Sequence, residues 1–355
     1  MLILIIISME RVDKLRKEHT ISYEDFTGLM KEDNPKIVYY LYKSAQEVAA
    51  EIFHKKIYIR GLIEFSNHCK NNCYYCGLRR DNASADRYRM TPGDIITCVD
   101  EGYKLGFRTF VLQSGEDVFF TDDRMCQVIS GVHKLHPDCA ITLSVGERSF
   151  DSYKRFKEAG ASRYLLRHET ADKCHYDKLH PKDMSYENRM QCLKDLKSLG
   201  YQVGCGFMVG SPEQTRDNLY QDISYIIESK PQMVGIGPFI PHSATPFALK
   251  QSGTLETTLR LLAIIRLIDP NILLPATTSL ATLTEDGRKR GILAGANVVM
   301  PNLTPRLYRE KYALYDKKLA FGAEAAEGLE LLKNELEDIG YDIIVGRGDY
   351  PGFEG

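Results

Sequence analysis

The sequence predicts an α/β fold: a closed (β/α)8 TIM-like barrel of parallel strands, with helices before it and a closing helix after it. Three observations carry this expectation. Eight β-rich segments lie between about residue 57 and residue 301. A helix-patterned segment follows each of them, the alternation that builds a parallel sheet with helices outside. Eight such units in about 250 residues, with no low-complexity linker, match the size of a closed barrel. A doubly wound open sheet is the alternative that the same alternation allows.

The elements follow in order. The apolar run Leu2–Ile7 is too short to span a bilayer and lacks the basic start and cleavage site of a signal peptide. It reads either as an upstream start or as a short element packed on the domain. Residues 9–56 read as helical: "SYEDFTGLMKED" opens on Ser with acids in its first turn, and "PKIVYYLYKSAQEVAAEIFHKK" has apolar residues at helical spacing. Residues 1–56 are therefore taken as a helical extension and 57–355 as the barrel with its helical closure.

The eight strand candidates are "KIYIRGLIEFS", "RTFVLQSG", "AITLSVGE", "SRYLLRHE", "YQVGCGFMVG", "QMVGIGPFI", "NILLPATTS" and "NVVMPN". Between them "TPGDIITCVDEGYKLG" has Pro near a helix start and Gly at its end. "SFDSYKRFKEAG" and "SYENRMQCLKDLKSLG" also stop at Gly. Residues after about 320 read as one closing helix. In such barrels the chemistry sits at the carboxyl ends of the strands, and here those ends are polar or glycine-rich.

With 355 residues, 43% of them hydrophobic, and a net charge of −2, the chain can bury a large core and has no electrostatic case for nucleic acid. Nothing marks it for a membrane, so the cytoplasm is the default. Reducing conditions there favour metal or redox chemistry for clustered cysteines. Of nine cysteines, Cys69, Cys73 and Cys76 fall within "NHCKNNCYYC" as C-x3-C-x2-C. The other six read as small buried hydrophobes. A structural zinc site wants four ligands, and His68 is awkwardly adjacent to Cys69. A 4Fe–4S cluster held by three thiolates keeps one iron open to an outside ligand.

This loop, at the end of the first strand, resembles the signature of the radical S-adenosylmethionine (SAM) superfamily. Tyr75 fits the aromatic before the last cysteine. Gly115 and Glu116 of "GED" are similar to the superfamily's backbone segment for the SAM amino group. The strings "YCGLRRDN", "YRMTP", "VLQSGED", "RYLLRHETA", "MVGIGPFIPH", "PATT" and "ANVVMPNLTP" together resemble the FeFe-hydrogenase maturases of the HydE type, from about residue 55 to about 315.

The resemblance implies one 4Fe–4S cluster on Cys69, Cys73 and Cys76, and SAM cleaved by one electron to a 5′-deoxyadenosyl radical. It implies SAM contacts at Glu169, Ser144 and Arg189, the last a guanidinium for the SAM carboxylate. It maps the substrate side onto Gln113, Ser114, Thr142, Arg167, Thr277, Thr278, Met300 and Tyr312. A pair between Arg167 and Glu169 is the structural alternative for that arginine. The implied substrate is a cysteine-bound iron carbonyl–cyanide precursor of the diiron subcluster. The implied partners are a sister radical SAM enzyme, a GTPase scaffold, and an electron donor such as ferredoxin or flavodoxin. One departure is visible: some members have three further cysteines near the C-terminus for an accessory cluster, and this chain has none beyond Cys205.

Two other readings stay open on sequence. One is a radical SAM enzyme on an amino-acid-derived substrate, similar to methylornithine synthase or biotin synthase. Biotin synthase needs a second cluster inside the barrel, for which only Cys205 is placed. The other is a non-catalytic metal-binding protein.

Overall fold

The computed structural model describes residues 2–353, with side chains from residue 7 onward. The question whether residues 2–6 pack on the domain lies outside the described side chains. Three helices come first: α1 (Leu2–Glu18), α2 (Tyr23–Lys31) and α3 (Pro35–Phe53). Ser22 caps α2 by accepting from the Asp25 N–H. Asn34 caps α3, whose Pro35 occupies the first helical position, where a missing N–H costs nothing.

The barrel then winds through β1 (Lys56–Ile59), β2 (Gly61–Ser66), α4 (Pro92–Lys104), β3 (Thr109–Ser114), α5 (Asp122–Leu135), β4 (Ala140–Ser144), α6 (Phe150–Glu158) and β5 (Arg163–Leu165). It continues through α7 (Lys173–Leu179), α8 (Tyr186–Ser198), β6 (Gln202–Cys205), β7 (Met208–Val209), α9 (Arg216–Ser229), β8 (Met233–Val234), β9 (Gly237–Pro238) and α10 (Leu255–Ile268). Thr91 starts α4 with a full capping box on Asp94. After α11 (Thr278–Leu283) and α12 (Gly287–Leu293), β10 (Val298–Val299) returns to pair in parallel with β1.

The ring is closed. β2, β3, β4, β5, β6 and β8 are neighbours in one parallel sheet. The seventh position, 272–277 just before α11, forms no continuous ladder and carries only single bridges, Met233 to Leu273 and Pro275 to Val298. Pro275 explains the broken ladder, since it has no N–H to donate. The bonds Leu273 N–H to Gln232 O (3.1 Å) and Ala276 N–H to Val298 O (2.9 Å) still carry the ring across.

Past the barrel the expected single helix is corrected. Short 3-10 turns at Gly322–Glu324 and Ala326–Gly328, after α13 (Arg306–Arg309), precede a shorter α14 (Leu329–Glu337). Gly322 sits at φ +67°, and a side chain on Gly328 would strike the Gly322 carbonyl at 1.9 Å, so the chain turns back on itself there. An unexpected strand, β11 (Asp342–Ile344), then pairs beside β1 outside the ring.

Inward-facing residues alternate along each strand, as the pleat requires. Leu62 and Glu64, Val111 and Gln113, Thr142 and Ser144, and Leu165 and Arg167 all face one cavity. One step lower, Thr109, Arg163 and Gln202 meet the C-terminal segment. Arg163 donates to the Arg347 carbonyl (2.6 Å) and to Asp349 (2.7 Å), and Gln202 donates to Asp349 (2.6 Å). The tail is the floor of the barrel.

Candidate active site

The cysteine loop is held by hydrogen bonds and close backbone contacts of its own. Arg87 donates to the carbonyls of Leu78 (3.0 Å) and Arg79 (2.7 Å), and Asn82 donates to the Gly77 carbonyl (2.7 Å). A side chain on Gly77 would meet the Ala313 carbonyl at 2.2 Å. A side chain on Gly115 would meet the His68 carbonyl at 2.3 Å, so glycine lets the "GED" segment pass under the loop. The Lys70 N–H binds the Glu116 carbonyl at 2.9 Å. The Glu116 carboxylate turns away from the cavity, accepting from the Glu147 N–H at 3.0 Å.

The ring surrounds a cavity of about 360 Å³ that is open to solvent on one side. Cys73, Cys76 and Tyr75 line its upper end. Every substrate-side residue expected from sequence lines it too: Gln113, Ser114, Thr142, Arg167, Thr277, Thr278, Met300 and Tyr312. Ser144 and Glu169 join them, whereas Cys69, Gly115, Glu116 and Arg189 do not line it.

Several polar atoms in this cavity have no hydrogen-bond partner: Thr142 Oγ1, Arg167 Nε and Nη2, and Glu169 Oε2. The alternative pairing of Arg167 with Glu169 is present at 3.3 Å as an ion pair, yet it satisfies neither group by hydrogen bonding. Unpaired polar atoms on the wall of a cavity are open to a ligand. Arg189 differs. Glu147 already accepts from its Nε at 2.5 Å, and Arg189 itself donates to the Arg167 carbonyl at 3.0 Å.

The thiols fit a cationic cluster. Burial pushes Cys76 up to about 12 and Cys73 well above the ordinary thiol range, and it raises Cys69 too. Thiolates in so dry a place need positive charge beside them, which iron supplies. Among the described residues no three His, Cys, Asp or Glu side chains close on one point as a mononuclear site would. Tyr75 is held by His180, whose Nδ1 faces the Tyr176 carbonyl (3.0 Å) and whose Nε2 meets the tyrosine hydroxyl (3.2 Å). Burial and then the Arg189 charge push His180 down to about 3, so it stays neutral.

Cys205 is the correction here. It is buried but does not line the cavity. Gly204 faces inward at that level, where a side chain would meet Leu165 and Met233, so the next residue faces the helices. The barrel interior thus offers no cysteine for a second cluster among the described residues.

Sequence reasoning missed three cavity residues. Glu64 is fully buried, paired with Lys318 (2.5 Å) and receiving a bond from Asn302 (2.8 Å). Arg60 is 5% exposed, meets only Met233 Sδ (2.9 Å), and keeps Nε and Nη2 unpaired. Charged residues inside the apolar run "KIYIRGLIEFS" were the available signal. Burial, then the neighbouring Arg163, pushes the Arg60 guanidinium well below its usual range. Replacing a buried, unpaired charge by an apolar side chain of similar length relieves its desolvation cost. Arg60→Met is therefore expected to stabilise the protein by about 1–2 kcal/mol. Thermal unfolding checks this, and a lower midpoint for the variant would contradict it.

The pattern described as the radical SAM superfamily matches residues 63–226. The FeFe-hydrogenase maturase subunit HydE of Thermotoga maritima is 46% identical over 279 residues, 79% of each chain. The 3-methylornithine synthase of Methanosarcina acetivorans is 26% identical over 93% of this chain and 92% of its own. The crystal structure of methylornithine synthase (PylB) superposes with a TM-score of 0.84 at 25% identity, covering 94% of this chain and 97% of that one. The maturase HydG shares the fold, with a TM-score of 0.79 at 20% identity, covering 95% of this chain and 75% of its own. At the identity it shares with the Thermotoga protein across most of both chains, kinship is plain: this chain belongs to the HydE family of FeFe-hydrogenase maturases, radical SAM enzymes.

Proposed function

We propose that this enzyme assembles the diiron subcluster of FeFe hydrogenase from a cysteine-bound iron carbonyl–cyanide precursor. The observation that carries the reading is the cavity inside the ring, with the Cys73 and Cys76 thiols and the unpaired polar atoms of Thr142, Arg167 and Glu169 on its wall. Cys69, Cys73 and Cys76 would hold one 4Fe–4S cluster and leave an iron for SAM. When bound and reduced, that cluster supplies the electron that splits SAM. Glu169 and Ser144 would contact SAM, with the "GED" backbone at its amino group.

Arg189 fits a SAM carboxylate less directly, because Glu147 takes its Nε and the Arg167 carbonyl its Nη1; a ligand would use Nη2. Arg167 and Thr142 offer cationic and hydroxyl donors suited to carboxylate or cyanide groups on the substrate, while Thr277 and Thr278 line the same wall with their hydroxyls turned to Ser279 and Glu324. Gln113, Ser114, Met300 and Tyr312 complete the wall. The proposed setting is the cytoplasm, with a sister radical SAM enzyme, a GTPase scaffold, and ferredoxin or flavodoxin as partners. Among the described residues no helix is long and apolar enough to cross a membrane.

The likeness to methylornithine synthase over nearly the whole chain favours one second reading, an amino-acid substrate. Both are tested together. Anaerobic protein reconstituted with iron and sulfide is expected to hold about four of each per chain. It is expected to form 5′-deoxyadenosine from SAM and to complete maturation of apo-hydrogenase when its own function is otherwise missing. Maturation failing with SAM cleavage intact would remove the hydrogenase role. Methylornithine formed from lysine would establish the rival.

A further inference from the structure

The residue proposed to contact SAM, Glu169, sits on backbone that does not favour it. Its φ is +65°, the left-handed region where a side chain is strained. Such a conformation persists only where the surroundings over-determine it. The surroundings here are specific. The Glu169 N–H donates to the Gly206 carbonyl (3.0 Å). One residue earlier, the fully buried His168 accepts from the Gly206 N–H at Nδ1 (3.3 Å). That fixes the tautomer, so Nε2 carries the proton and donates to Asp222 Oδ1 (3.3 Å). The same Asp222 oxygen accepts from the Ala171 N–H (2.5 Å), two residues beyond Glu169.

The 168–171 turn is thus held at both ends by one carboxylate. Asp222 belongs to α9, is fully buried, and does not line the cavity. The His168 ring is packed between Phe207 and Tyr225, with ring centroids 5.8 and 4.8 Å away. A buried carboxylate is costly, and a turn alone would not require one.

We propose that Asp222, acting through His168 and the Ala171 N–H, is a positioning residue for SAM binding: it holds the left-handed turn that points the Glu169 carboxylate into the barrel. This rests on the reading of Glu169 as a SAM contact. Without the clamp the turn relaxes toward ordinary backbone, and the carboxylate swings from the cavity while the cysteine loop, on another strand, keeps its cluster.

The test uses reconstituted holoenzyme. SAM is titrated against the reduced cluster, and its electron paramagnetic resonance signal reports occupancy. Asp222→Ala is expected to weaken SAM binding about tenfold with iron content unchanged, as for loss of a second-layer support. Asp222→Asn keeps an acceptor for both donors and is expected to stay within about threefold of the parent. His168→Phe fills the same space without the ring nitrogens and is expected to match Asp222→Ala, so the test does not depend on one variant folding. Glu169→Ala is expected to weaken SAM binding itself, and Asp222→Ala added to it is expected to cost no more than about twofold. If Glu169→Ala weakens binding while Asp222→Ala and His168→Phe do not, the clamp is wrong and the Glu169 contact stands. If Glu169→Ala binds SAM as the parent does, the contact itself is wrong. Additive losses in the double variant would also overturn the clamp.

Discussion

Cys73→Ser is expected to lower 5′-deoxyadenosine formation from SAM by at least about a thousandfold and to strip the reconstituted protein of most of its iron. The reasoning is local. Burial raises the Cys73 thiol well above its ordinary range, and its sulfur lies 3.6 Å from Met184 Sδ. None of the other six cysteines lines the cavity: Cys98, Cys139, Cys192 and Cys205 are buried in other elements, Cys126 is half-buried on α5, and Cys174, which reads as a buried hydrophobe from sequence, is exposed on α7. A hydroxyl in that place is a poor ligand for iron, since it must lose a proton at far higher cost than a thiol. The fold should survive, because the loop is held by Arg87, Asn82 and Gly77 rather than by the sulfurs. The metal-free variant should unfold within about 1 kcal/mol of the metal-free parent. Cys98→Ala is the control: it should cost stability and leave the cluster in place. Iron analysis, SAM cleavage assays and thermal melts read all three. Cys73→Ser with SAM cleavage within tenfold of the parent would remove Cys73 from the cluster.

The barrel was legible because its evidence is repeated eight times, and each strand's inward parity follows from its own alternation. Thr142 and Ser144 face the cavity for the same reason that Gln113 does, and the pleat dictates it. Residues whose role depends on a distant element were not legible. Arg60 reads as an ordinary charged residue until the ring closes around it and Met233 becomes its neighbour. Lys318 sits in an unpatterned loop, and its partner Glu64 is 254 positions earlier. Glu147 looks like a turn acid in "SVGE", yet it is what Arg189 binds. Cys205 was misplaced by one residue of parity, which in a strand is the whole difference between inside and outside. The end of the chain misled for another reason: helix formers dominate "GAEAAEGLELLKNELEDIG", while two glycines and the pull of Arg288 on Glu324 decide the local path.

The floor of the barrel gives the second large effect, this time on stability. Asp349→Ala is expected to destabilise the protein by about 2–3 kcal/mol. Arg163 is fully buried, and Asp349 is the carboxylate it meets, at 2.7 Å. Breaking a wholly buried pair costs about 3–5 kcal/mol, and the lower figure applies because the Asp349 side chain keeps 38% of its exposure. The loss is not confined to one pair. Arg60 lies close enough above for its charge to be felt by Arg163, and Asp349 offsets both. Removing the carboxylate leaves two buried guanidinium groups repelling each other across the floor. Arg163→Met combined with Asp349→Ala should recover much of the loss, because it removes the stranded cation as well. The pH dependence has a definite sign. Burial alone would raise the Asp349 carboxyl, but the Arg163 charge and bonds from Arg163, Gln202 and Arg347 outweigh it and hold it well below the usual range. Its contribution is therefore fully present above the unfolded carboxylate value of about 3.9 and is lost only as pH falls further below it. Urea unfolding should show the parent and Asp349→Ala differing by a constant amount from pH 8 down to about pH 5 and converging in stronger acid. Equal stabilities at neutral pH would mean that the tail does not hold the floor, and that the cavity is closed from below by something other than this carboxylate.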